Sequence, residues 1–350
     1  MASMVISVSK QETGPRPLDI RRDLKQVAAL IEEAFGPELD AAGRAALREL
    51  RMTALLGPLL GLLAPSGQQP HDMLNGFVWV EEGAIVGNVT LQRIPQFPAR
   101  YVIANVAVKQ GYRGRGIASE LMRLAMAYIA EQGGHWAVLQ VREDNDIARG
   151  MYQRLGFAEM MMEYRLRTPS IPHIPLPAIP DRHAELRPLS DDDWQLVRYL
   201  LSQALPESAR WWLPTRSAGF RHNSSSGIQR QLSRWFGIGH KMRWGLFFGS
   251  DLMGVVDIDV LAYNEHRIDI LLHPELRSAW SKPLLARALR YLQAYPDRPV
   301  NAILYDYQLP AIHALHELGF KPFVTLVNMR KRVKPLQRRT QITPAAVSIH

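Results

Sequence analysis

Asn105-Val-Ala-Val-Lys-Gln-Gly-Tyr-Arg-Gly-Arg-Gly-Ile-Ala-Ser-Glu-Leu121 is the stretch that decides the fold. Small and branched apolar residues alternate as far as Val108, which is the period of a strand, and Gly111, Gly114 and Gly116 follow as a turn. Ile117, Leu121, Leu124, Ala125 and Tyr128 then recur at helical spacing. Glycines at a strand-to-helix junction let the backbone approach a ligand and turn several N–H groups one way. The unpaired amides and positive end of the following helix suit a phosphate or pyrophosphate. Arg113 and Arg115 add charge beside it. The stretch reads as an anion cradle.

Spacing narrows the kind of cradle. A dinucleotide fingerprint would carry a third glycine where Ser119 stands, and a phosphate loop of the Walker type needs Gly-Lys-Ser/Thr, which does not occur. The run Arg113-x-x-Gly116-x-Ala118 instead resembles the Arg/Gln-x-x-Gly-x-Gly/Ala signature of the GNAT acyl-CoA N-acyltransferases. A second segment, Asn145-Asp-Ile-Ala148-Arg-Gly-Met-Tyr152-Gln-Arg-Leu-Gly156-Phe157, resembles the other characteristic helix and turn of that superfamily. The motifs stand in the right order, one helix and one strand (His135–Val141) apart. The resemblance covers 77–167 and implies a mixed, mostly antiparallel α/β sheet flanked by helices, splayed into a V between its fourth and fifth strands.

At 350 residues the chain is long for one domain and comfortable for two. Its 47% apolar content supplies cores, and 21% charged residues argue against disorder. The absence of cysteine removes disulfides, thiolate metal sites and a cysteine acyl-enzyme, and fits a cytoplasmic location. No secretory-type leader is seen, and the apolar run Leu55–Ala64, broken by Gly57, Pro58 and Gly61, is too short to span a bilayer. It is expected as a buried or lid helix. The net charge of +9 is uneven: no acidic residue lies between Glu207 and Asp251, while seven Arg and Lys do.

The chain repeats itself. Pro169, Pro172, Pro175, Pro177 and Pro180 fill a stretch that holds neither helix nor central strand and is expected as an extended connector. Beyond it, Arg187-Pro-Leu echoes Arg16-Pro-Leu. The hairpin Trp244–Phe248 with Leu252–Leu261 echoes Phe77–Glu81 with Ile85–Ile94. Ile268–Leu272 echoes Ala104–Val108, and Leu318-Gly319-Phe320 echoes Leu155-Gly156-Phe157, at a near-constant offset of 164. The copy has lost its cradle: Pro274–Pro283 contains no glycine, Trp280 stands where Gly116 would, Pro283 removes an N–H, and Leu315 replaces Tyr152. The organisation resembles tandem GNAT proteins such as the mycothiol synthases, in which one repeat can be degenerate. The expected division is 1–167 catalytic, 168–184 linker, 185–333 degenerate GNAT-like repeat, and 334–350 basic tail.

The resemblance implies acetyl-CoA as acyl donor. The pyrophosphate would lie on amides from Arg113, Gly114, Arg115, Gly116, Ile117, Ala118 and Ser119, and pantetheine would pair with backbone groups of Val106 and Val108, one amide polarising the thioester carbonyl. Tyr152 is the candidate general acid, against the alternative of a core tyrosine. Asn145 either fixes the splayed strand or a CoA amide, or caps its helix. No base is assigned: Glu81, Glu82, Glu143, Asp144 and a water chain all remain open. His313 and His316 lie one helical turn apart with no third ligand in register, so no metal is expected. The basic stretch Arg210–Trp244, with Trp211, Trp212, Phe220, Trp235 and Phe236 among its arginines, could bind nucleic acid or line a site for an anionic acceptor, but is more readily a core edge with a wet face. The expectation is an N-acetyltransferase acting on a primary amine by direct transfer, as monomer or homodimer and without a membrane. The alternative is a non-catalytic acyl-CoA-binding module with a protein or nucleic-acid partner on 210–244.

Overall fold

A computed structural model describes residues 13–36, 44, 45, 47, 48, 51, 75–94, 97–212, 239–262 and 265–335. The chain divides into two compact units, one of residues 1–35, 50–139 and 330–350, the other of residues 36–49 and 140–329.

The first unit begins with β1 (Gly14–Pro17) and α1 (Ile20–Phe35). It continues through β2 (Asn75–Glu81), β3 (Ala84–Ile94), β4 (Phe97–Val108) and α2 (Ile117–Glu131) into β5 (Trp136–Arg142), whose residues up to Leu139 belong to it. The strands lie in the order β1-β2-β3-β4-β5, antiparallel except for the parallel pair β4–β5. α1 buries Leu24, Val27, Ala28, Leu30 and Ile31, a stripe at helical spacing, and leaves its charged face to solvent. β3 is buried without alternation from Ile85 to Leu91, as a strand covered on both faces must be, and both α1 and α2 pack on it. α2 lies very close: a Cβ on Gly87 would stand 2.8 Å from the Ile117 side chain, so glycine alone fits there. Leu121, Met122 and Ile129 of α2 have no exposed surface, and their burial contributes about 2 kcal/mol each.

The second unit holds the end of β5, then α3 (Asp146–Arg154), β6 (Ala158–Thr168), β7 (Ala184–Pro188), α4 (Trp194–Ala204) and α5 (Glu207–Trp212). β8 (His240–Phe248), β9 (Asp251–Ala262), β10 (Glu265–Leu272), α6 (Arg277–Leu292), β11 (Val300–Tyr305), α7 (Leu309–Glu317) and β12 (Lys321–Arg332, to Met329) complete it. Its strand order is β12-β6-β11-β10-β9-β8-β7, with β10–β11 parallel. α6 and α7 bury Trp280, Leu284, Leu285, Leu289, Ile312 and Leu315 in one core, and α4 buries Val197, Leu200 and Ala204 in another.

The duplication is visible in the elements. β5 and β11 start at 136 and 300, α3 and α7 at 146 and 309, β6 and β12 at 158 and 321. Each Arg-Pro-Leu makes the same clasp: Arg16 holds Asp23 with two hydrogen bonds of 2.6 and 2.9 Å, and Arg187 holds Asp193 with two of 3.1 Å. Burial alone would raise the Asp23 carboxyl, but Arg16, the Asp19 amide and Arg22 outweigh it and hold it low. Asp193 is pulled down to about 2, chiefly by Arg187.

Of the expected linker, residues 169–183 hold neither helix nor strand, and the division into compact units falls at 139/140 and 329/330. Ile171 is buried in the α6 core, its amide donates to Asp297, and Gln293 donates to the Pro172 carbonyl. β6 pairs with β11 from Glu163–Tyr305 to Thr168–Val300, which draws β6 into the second unit. Leu55–Ala64, residues 213–238 of the basic stretch and the tail from 336 lie outside the described residues.

Candidate functional site

β4 and β5 pair only at Arg100–Trp136, Tyr101–Ala137 and Val102–Val138, although β4 runs on to Val108. From Ile103 onward β4 therefore has β3 on one side and no ladder to β5 on the other, which is the expected splay. The Lys109 amide donates to the Val86 carbonyl, and hydrogen-bonding direction alternates along an antiparallel strand. Ala107 therefore faces β3, while Val106 and Val108 direct their backbone groups into the splay. The Val108 carbonyl accepts from Arg113 Nε at 3.0 Å, which ties the loop to the strand end.

After Val108 a single 3-10 turn, Gln110–Tyr112, leads to Arg113 in extended conformation and then to α2. Gly114 and Gly116 have φ of +78° and +79°, and nothing lies within 4 Å of where their side chains would be. Gly116 is the N-cap of α2, and no side chain caps the helix. The helix thus begins with unpaired amides over open space, at the positive end of a 15-residue dipole. Arg115 donates to the Gly111 carbonyl and lies over the Tyr112 ring at 4.9 Å, so both arginines brace the loop they charge. Ile117 is buried against Gly87 and contributes only its amide; Ser119 is exposed. The first unit therefore carries Val106, Val108 and Arg113–Ser119 along one strand, turn and helix start.

Asn145 and Tyr152 lie on α3 in the second unit. Asn145 Oδ1 accepts from the Ala148 amide at 3.0 Å and so caps the helix. Tyr152 is 6% exposed and stands edge-on to Phe157 at 6.0 Å. Burial pushes its phenol up to about 12, so it stays protonated at physiological pH. Among the base candidates, Glu81 accepts from the Trp79 indole, and the Asp144 carboxyl is held low by hydrogen bonds from Arg142. Among the described residues no three His, Asp or Glu side chains form a metal-binding group, and no helix is long and apolar enough to cross a membrane. In the described part of the basic stretch, Arg243 pairs with Asp257, Lys241 with Asp259, and Trp244 packs edge-on to Tyr291.

The copy keeps the splay and closes it. β10 and β11 pair over three residues, His266–Val300 to Ile268–Ala302, while β10 runs on to Leu272. Here α6 begins at Arg277, so that Arg277–Trp280, the counterparts of Arg113–Gly116, form its first turn. Trp280 is a buried core residue, edge-on to Phe248, and Pro283 lies in the second turn. Arg277 donates to the carbonyls of Tyr307 (2.9 Å) and Ala204 (2.5 Å), and Gln308 donates to the Ile270 carbonyl at 2.6 Å. Ile270 is the counterpart of Val106; the chain's own amide takes the place that the first unit leaves open.

The splayed parallel strand pair and the glycine-started helix leave backbone groups of β4 and the first amides of α2 unpaired by their own elements. Residues 46–157 match the family model described as "Acetyltransferase (GNAT) family", so this part of the chain carries a GNAT domain. N-alpha-acetyltransferase 30 of Schizosaccharomyces pombe is 36% identical over 66 residues, 19% of this chain and 44% of that protein. Mycothiol acetyltransferase of Corynebacterium efficiens is 35% identical over 86 residues, a quarter of each chain. The chain spans less than half the length of these two relatives. In fold it is similar to a tandem GNAT protein from the clavulanic acid biosynthesis pathway, with a TM-score of 0.54, 18% identity, and coverage of 93% of this chain and all of the other. The fold is that of a tandem GNAT protein.

Sequence reasoning passed over Asn88 and Thr90. Both are buried in β3 at 0% and 4% exposure, and both bond to the backbone of β4. Two amide- and hydroxyl-bearing residues inside the apolar run Ile85–Leu91 were the available signal.

Proposed function

We propose that the chain is an acetyl-CoA-dependent N-acyltransferase that moves an acetyl group directly to a primary amine, with its chemistry in the N-terminal repeat. The observation that carries this is the uncapped start of α2, open over Gly114 and Gly116 and continuous with the free edge of β4. The pyrophosphate of CoA lies on the amides of Ile117, Ala118 and Ser119, and pantetheine pairs with the backbone of Val106 and Val108. An amide held at the thioester carbonyl stabilises the charge that develops there, an effect of about 3–4 kcal/mol per donor in other enzymes. The amine nitrogen forms its bond to the carbonyl carbon and the C–S bond breaks. The departing thiolate takes the Tyr152 phenol proton, and the proton lost by the amine returns through water to the phenolate. No cysteine exists to carry the acyl group, which favours direct transfer. The similar N-acetyltransferases named above act in support of an amine acceptor.

The test is thiol release from acetyl-CoA in the presence of a panel of primary amines, including peptides with free N-termini, amino sugars and amino acids. Amine-dependent release is expected, with a loss of about 100-fold or more in Tyr152→Phe. Release that no amine accelerates above the Phe variant would sink the proposal.

A further inference from the structure

We propose that Asn88 and Thr90 are positioning residues that aim two consecutive backbone amides, those of Asn105 and Val106, at the thioester carbonyl of the acyl donor. This rests on the acyl-transfer function proposed above and specifies the donors of that same site.

The register of β3 and β4 breaks between Asn88–Ala107 and Thr90–Ala104: β3 advances two residues while β4 advances three. The extra residue is a β-bulge at Asn105, whose φ of +52° lies in the left-handed region. A bulge deprives carbonyls of their ladder partners, and here side chains from β3 take them up. Asn88 Nδ2 donates to the Asn105 carbonyl at 2.9 Å, and Thr90 Oγ1 donates to the Ala104 carbonyl at 2.9 Å. Asn105 Nδ2 in turn donates to Thr90 Oγ1 at 2.9 Å, closing the clasp.

The consequence follows from peptide geometry. In a trans peptide the C=O of one residue and the N–H of the next point in opposite directions. With the carbonyls of Ala104 and Asn105 both held toward β3, the amides of Asn105 and Val106 both point away from it, into the splay. An ordinary strand alternates its N–H groups and offers only every second one. The bulge offers two adjacent donors to a single acceptor.

Two further observations support a purpose beyond packing. Asn88 is fully buried and its Oδ1 has no partner, a destabilising arrangement that a valine at this apolar site would avoid. The copy provides an internal control. The counterparts of Asn88 and Thr90 are Val255 and Asp257, neither of which has a side-chain donor, and the register from Asp269–Asp257 to Leu272–Gly254 is unbroken. Without the clasp there is no bulge, in the repeat whose splay is filled by Gln308.

The test uses the full chain. Thr90→Val keeps the shape and removes the hydroxyl; kcat is expected to fall about 10- to 100-fold, with the Kd for acetyl-CoA within about threefold. Thr90→Ser is expected to restore kcat to within about threefold, which a packing role would not. A second measurement needs no destabilising variant. In valine-15N-labelled wild-type protein, the Val106 amide proton should move downfield with acetyl-CoA and not with S-ethyl-CoA, a thioether without the carbonyl. An unchanged kcat in Thr90→Val, or an equal Val106 response to both ligands, overturns the clasp. If the wild type transfers acetyl groups while Val106 ignores the carbonyl, the clasp alone is wrong. If the wild type binds no acetyl-CoA, the acyl-transfer function falls and the clasp with it.

Discussion

Gly116→Val separates the two repeats in one experiment. Gly116 has φ +79° at the N-cap of α2, where a side chain costs about 1–2 kcal/mol of backbone strain, toward the upper end for a β-branched residue. A Cβ at this position would meet nothing within 4 Å beyond its chain neighbours, so backbone strain is the main stability effect. For a unit of this size, about 2 kcal/mol lowers Tm by about 4–8 °C. The effect on ligand is larger. A valine would occupy the space over the first amides of α2, where the pyrophosphate is proposed to lie. Losing two charge-assisted hydrogen bonds at about 2 kcal/mol each weakens acetyl-CoA binding by about 4 kcal/mol, roughly a thousandfold. Gly111→Ala is the control, since Gly111 has no positive φ and its Cβ would meet open space; it should leave Tm and affinity nearly unchanged. Calorimetric titration of the wild type should give one site per chain. Wild-type affinity in Gly116→Val would refute the cradle, and two sites per chain would refute the closure of the copy by Arg277 and Gln308.

Three further outcomes follow from the side chains. With its phenol near 12, Tyr152 should impose no alkaline fall in kcat between pH 7 and 10, so a fall that Tyr152→Phe abolishes would contradict its burial. Asp193 ionises near 2 in the folded chain against 3.8 in the free residue, so its pair with Arg187 stabilises above about pH 4 and is lost as pH falls toward 2. The upper limit of about 2.5 kcal/mol is cut by solvent around the more open Arg187 to about 1 kcal/mol, read as the difference in denaturant midpoint between wild type and Asp193→Asn at pH 6 and at pH 3. His266 is fully buried, its Nε2 bonds the Pro296 carbonyl at 2.9 Å, and burial lowers its pKa below 6.5. Its neutral form is the folded form, so stability should decline as pH drops below about 6.5, and His266→Gln should flatten that decline in urea titrations at pH 7.5 and 5.5.

The cradle was legible because everything that makes it is local. Three glycines between an alternating run and a helical run specify a strand, a turn with positive φ and an uncapped helix start within about twenty residues. The duplication was legible for a related reason: hydrophobic period and turn residues survive in both halves even where the loop glycines do not. The division into compact units was not. The proline-rich connector looks like a boundary, yet β6 joins β11 through a ladder between residues well over a hundred positions apart, and the connector is pinned by Ile171, Asp297 and Gln293.

The chain by itself determined the strand–glycine–helix slot, the tandem fold, and the loss of glycine in the copy, since these depend on backbone freedom and residue period. Only the tertiary structure decided where hydrogen-bond partners fell. It paired Asn88 and Thr90 with the carbonyls of a bulge seventeen and fourteen residues away, turned Arg277 inward onto two carbonyls, and set the Gln308 amide on Ile270. Cross-strand register fixes such contacts, and register is set by the packing of whole strands and helices rather than by any short segment.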